Sequence, residues 1–108
     1  MQHSFRNTVF LDLGCGYGWH CIYAAEHGAE SVVGIDISEK MLGMAEEKNA
    51  HESIQYRRLA MEDLEFPKGA FDAVVSSLAS HYVKDFESLV EKISQWMTPG
   101  GKFVFSVL

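Results

Sequence analysis

Residues Thr8–Cys21, TVFLDLGCGYGWHC, constrain this chain more than any other stretch. An apolar run carries one acid, Asp12, then breaks into glycines at every second position (Gly14, Gly16, Gly18) before a helix-like segment opens at Trp19. Glycine takes positive φ at no steric cost, so the pattern predicts a strand that turns abruptly into a helix. Such a turn leaves backbone N–H groups at the positive end of a helix, where a ligand can be held.

The rest of the chain repeats the alternation. Val9–Leu13 reads as a compact strand, central in a sheet covered on both faces. Trp19–His27 continues as a helix with Ile22, Tyr23 and Ala25 as packing residues, and Gly28 suits its C-terminal end. Ser31–Ile37 is a second strand with Asp36 at its end, and Ser38 is an N-cap for a helix over Glu39–Asn49 with Met41, Leu42 and Ala45 at helical spacing. Ile54–Leu59 is a third strand, placed near a sheet edge by Arg57 and Arg58. Met61–Gly69 reads as a loop, and Phe71–Leu78 as a fourth strand. Asp85 can cap a helix running through Met97, with Phe86, Leu89, Val90, Ile93 and Met97 on one face. Thr98-Pro99-Gly100-Gly101 ends it, and Lys102–Val107 is a fifth strand. Strands alternating with helices imply a parallel sheet with right-handed crossovers: an α/β, doubly wound, Rossmann-like fold of about five strands with helices on both faces. No repeat, low-complexity tract or linker interrupts the 108 residues, which suffice for one compact domain over 1–108.

Charge and cysteine usage exclude several classes. Nine Lys and Arg stand against fifteen Asp and Glu, a formal net charge of -6, so a basic footprint for nucleic acid is missing. No apolar stretch approaches the roughly 18 residues that cross a bilayer, and MQHSFRNT lacks the apolar core of a secretory signal. Cys15 and Cys21 match neither a zinc nor a redox spacing and read as small buried thiols in a reducing cytoplasm. The histidines His3, His20, His27, His51 and His81 are scattered without metal-site spacing, so no metal is expected.

In an open parallel sheet, ligands gather at the carboxyl ends of the strands. The glycine turn, Asp36, the Ala60–Asp63 loop and the Ser76–Tyr82 segment all fall there. Asp36 lies about 20 residues past the glycine turn, the spacing of a carboxylate that accepts from ribose hydroxyls. Asp12 is more informative. A carboxylate inside a central strand costs several kcal/mol unless something pairs with it. A dinucleotide would bring an anionic pyrophosphate against it, whereas a cationic ligand would be welcome. Trp19 also stands where the dinucleotide pattern G-x-G-x-x-G requires Gly or Ala.

With these residues in place, LDLGCGYG resembles the first motif of the class I S-adenosylmethionine-dependent methyltransferases, in particular the type 11 group. GIDIS, FDAVVSSLASHYV and TPGGKFVFSV resemble the later motifs in order and spacing, so the likeness covers nearly all of the chain from Val9 onward. The resemblance implies S-adenosyl-L-methionine as cofactor and a small-molecule methyl acceptor. It puts Gly14, Cys15 and Gly16 against the methionine and ribose parts, Asp12 at the ammonium end and Asp36 on the ribose hydroxyls. Ile37 and Met41 would flank the adenine, Met61 and Glu62 would meet its edge, and Ser77 would offer backbone near the amino group. The acid that many relatives carry at the place of Ala60 is absent. His81 and Tyr82 are the candidates for a substrate-side role, with Tyr17 and His20 near the pocket.

Relatives continue past the fifth strand into a helix and an antiparallel hairpin. The resemblance therefore implies a core that stops short of them, with a fifth-strand edge open to self-association. Two alternatives stay open on the residues: a module that binds the cofactor without transferring a methyl, and a nicotinamide-binding domain sharing the fold and the Asp36 spacing.

Overall fold

The computed structural model describes residues 6–60, 63–76 and 86–105. Strands β1 (Val9–Leu13), β2 (Ser31–Asp36), β3 (Ile54–Arg58), β4 (Phe71–Ser76) and β5 (Met97–Phe105) form one parallel sheet in the order β3-β2-β1-β4-β5. Helices α1 (Trp19–Glu26), α2 (Glu39–Lys48) and α3 (Phe86–Trp96) lie between strands in the chain. The chain steps outward from β1 to β3, then returns to β4 on the other side of β1, so strand order reverses between β1 and β4. That reversal is the doubly wound arrangement, with the arginine-bearing β3 at an edge as its sequence predicts.

Period-two alternation sorts the strand residues between two cores. Leu11, Leu13, Ile35 and Val74 pack with Leu89, Ile93 and Trp96 of α3. Phe10 and Val32 pack with Cys21, Ala24 and Ala25 of α1 and Leu42 of α2. Both faces of β1 are covered, which is why its sequence reads as a nearly unbroken apolar run. No helix among the described residues is long and apolar enough to cross a membrane.

Three local readings are corrected. α1 buries Cys21, Ala24 and Ala25, leaving Tyr23 45% exposed, because small side chains at i, i+3 and i+4 let the helix lie close over the sheet. In α3 the buried face ends on Trp96, Met97 already belongs to β5, and Val90 is exposed. The segment Thr98-Pro99-Gly100-Gly101 is part of β5: the register slips as the chain advances from Met97 to Lys102 while β4 advances from Phe71 to Ala73. An edge strand tolerates the missing Pro99 N–H, and Gly100 takes the φ of 81° that the irregularity needs. The loop after β3 also contributes to the core. Leu64 is fully buried, and Phe66 meets Phe71 and Trp96 edge-to-face at 4.9 and 5.0 Å.

Candidate functional site

Gly14, Gly16 and Gly18 have φ of 77°, 55° and 82°, so the turn between β1 and α1 is left-handed at three alternate residues. Its backbone is fixed to the end of β2. The N–H groups of Gly14 and Cys15 both donate to the Ile35 carbonyl, at 2.8 and 2.9 Å. Gly16 N–H donates to Asp36 Oδ2 at 2.9 Å, and Ser38 N–H donates to Asp36 Oδ1 at 2.8 Å. One carboxylate thus ties the glycine turn to the entrance of α2, while the Ser38 hydroxyl accepts from Met41 N–H and caps that helix. A carboxylate offers about four lone-pair sites, so Asp36 keeps acceptor capacity for further donors.

Tyr56, Asn49 and Gly34 support the turn, three residues not singled out in the sequence. The Tyr56 hydroxyl donates to the Asn49 carbonyl at 2.8 Å, and Asn49 Nδ2 donates to the Tyr17 carbonyl at 2.7 Å. A Cβ on Gly18 would strike the Tyr56 hydroxyl, and one on Gly34 would lie 2.9 Å from both Cys21 Sγ and Tyr56 Cδ1. Burial pushes the Tyr56 phenol up, so it remains a donor. The available signal was Gly34 itself, a glycine inside the apolar run SVVGIDI, which marks a close approach.

Asp12 is fully buried, in register with Gly34 on β2 and Val75 on β4. Its Oδ2 accepts from the Cys21 thiol at 3.7 Å and lies 3.7 Å from His20 Nδ1; its Oδ1 has no hydrogen-bond partner among the described residues. Contact with Asp12 holds the His20 imidazole above its ordinary pKa, with partial burial opposing and charge attraction adding. The Cys21 thiol is pushed up by its contact with Cys15, by burial and by the Asp12 charge.

Seven of the candidate residues come together: Asp12, Gly14, Cys15 and Gly16 in and after the end of β1, Asp36 and Ile37 at the end of β2, and Met41 in the first turn of α2. Met41 Cε lies 3.5 Å from where a Cβ on Gly16 would be, and Ile37 is 57% exposed. Arg58 Nε donates to the Ile37 carbonyl at 2.9 Å and pairs with Glu39 at 3.7 Å, fixing the turn into α2. Tyr17 is exposed beside the turn. Met61, Glu62, Ser77, His81 and Tyr82 lie outside the described residues.

Residues 11–105 match the model of the methyltransferase domain family. The chain belongs to that family. This methyltransferase domain superposes on a crystal structure from Listeria monocytogenes, assigned to the S-adenosylmethionine-dependent methyltransferases, with a TM-score of 0.92 and 46% identity over 99% of the chain and 50% of that structure. It is 40% identical to an uncharacterized methyltransferase of Synechocystis, over 86% of the chain and 43% of the relative. It is 36% identical to the ubiquinone biosynthesis O-methyltransferase of Dechloromonas aromatica, over 97% of the chain and 46% of the relative. The domain therefore spans about half the length of these proteins or slightly less.

Proposed function

We propose that this chain is the S-adenosylmethionine-binding core of a methyltransferase, folded as one domain over 1–108, that serves a small-molecule acceptor. The observation that carries the reading is Asp12 Oδ1, a buried carboxylate oxygen beside the glycine turn with no hydrogen-bond partner among the described residues. A buried anion of this kind asks for a cation, and the α-ammonium of the cofactor supplies one. S-adenosylmethionine, when bound, supplies an activated sulfonium methyl for direct transfer to a nucleophile.

The chain's own part is to bind, orient and exclude water. Asp12 receives the ammonium end, and Gly14, Cys15 and Gly16 lie against the methionine and ribose parts. Asp36 accepts from the ribose hydroxyls with the capacity left beside its two backbone donors. Ile37 and Met41 flank the adenine, Met61 and Glu62 meet its edge, and Ser77 offers backbone near the amino group. His81 and Tyr82 stand on the acceptor side. Two free thiols agree with a cytoplasmic setting. The β5 edge, where Val104 is 55% exposed, is proposed to pair with a second copy.

Calorimetric titration with S-adenosylmethionine, S-adenosylhomocysteine and NADH tests the reading. Saturable binding of the first two is expected, weakened about tenfold or more by Asp36→Ala through loss of a charge-assisted hydrogen bond. Tight NADH binding with no response to either sulfur ligand would overturn it.

A further inference from the structure

We infer that His20 is a positioning residue that makes cofactor binding pH-dependent, its imidazolium competing with the ligand's ammonium for the Asp12 carboxylate. This rests on the S-adenosylmethionine reading above.

His20 sits in the first turn of α1 with its side chain 50% exposed, so it exchanges protons freely with water. Its Nδ1 nevertheless lies 3.7 Å from Oδ2 of a carboxylate that is itself fully buried. Among the described residues, His20 is the group that places a positive charge against Asp12; the other neighbour at that oxygen is the neutral Cys21 thiol. The unpartnered Oδ1 belongs to the same carboxylate. One negative charge thus serves two cations, the imidazolium from α1 and the incoming ammonium. Two like charges that share a buried partner oppose each other. Ligand binding therefore expels the His20 proton, and protonated His20 weakens the ligand.

The sign follows by linkage. Asp12 raises the His20 pKa in the free chain, and the bound ammonium lowers it. Affinity is highest above the raised value and falls as pH drops through it. The titratable group against His20 is Asp12 on β1; around that carboxylate stand Cys21 on α1, itself in contact with Cys15 in the turn, and Tyr56 on β3. Asp36 at the end of β2 and Glu46 on α2 are the more distant ones. The test spans about pH 5.5 to about pH 7.5, on either side of the ordinary imidazole range, and the His20 variant assigns the response to that imidazole.

Calorimetry with S-adenosylhomocysteine on the whole chain is the test. Binding about five- to tenfold weaker at the lower end of that window is expected, a coupling of ordinary size, and His20→Gln should reduce the change to about twofold or less. Methylthioadenosine, which lacks the amino-acid portion, should bind the wild-type chain with no such slope. In the wild-type chain, NMR should also show the His20 titration midpoint falling when S-adenosylhomocysteine is added. An affinity that is flat or rises toward low pH, a slope that persists in His20→Gln, or a midpoint that does not fall would overturn the proposal. No binding of S-adenosylhomocysteine at either pH would instead overturn the functional reading beneath it.

Discussion

At Asp12 the demands of folding and of the proposed function conflict. Its carboxylate is desolvated by the central strand, and one oxygen accepts no hydrogen bond among the described residues. Stability alone would not keep it, since a fully buried carboxylate held only by a thiol and a half-exposed imidazole costs more in desolvation than those two contacts return. Asp12→Asn keeps the shape and discards the charge. Chemical denaturation should find this variant as stable as the wild type or more so, while its affinity for S-adenosylhomocysteine drops about tenfold or more. A variant that unfolds more easily yet binds as well as the wild type would contradict this. Asp12 was legible in the sequence because an acid inside an apolar strand has few explanations. Asp36 was half legible. Its spacing suggested a ligand contact, but nothing in the spacing told that its two oxygens also hold the Gly16 and Ser38 N–H groups.

The element that most depends on hidden neighbours is β2. Its Gly34 packs beneath the glycine turn against Cys21, Cys15 and Tyr56, three residues distant in sequence. Gly34→Ala places a methyl 2.9 Å from Cys21 Sγ and Tyr56 Cδ1, and overpacking of this sort costs about 1–3 kcal/mol. Urea denaturation should show that loss; an unchanged midpoint would mean that α1 or Tyr56 moves aside without penalty. The start of β5 was illegible for a different reason. Thr98-Pro99-Gly100-Gly101 has the composition of a turn, and local propensity is overridden by an edge position beside β4. α1 misled for a third reason: its packing residues are small, whereas hydrophobic periodicity weights large ones such as Tyr23.

Over the whole molecule, the doubly wound parallel sheet, with β1 central and β3 at an edge, and its two-faced core were legible because alternating strands and helices leave few ways to cover a parallel sheet. The reversal between β1 and β4 puts the glycine turn at the place where such sheets gather ligands. β5 is the last strand on its side of the sheet among the described residues, and the proposed pairing there predicts concentration-dependent association in sedimentation velocity; a single monomeric species at every concentration would speak against it. Isotope-labelled chain titrated with S-adenosylhomocysteine should show its largest amide shift changes at Gly14–Gly18 and from Asp36 to Met41. Saturable binding whose changes cluster instead in the groove between α3 and β5, around Ile93, Met97 and Phe103, would contradict the account.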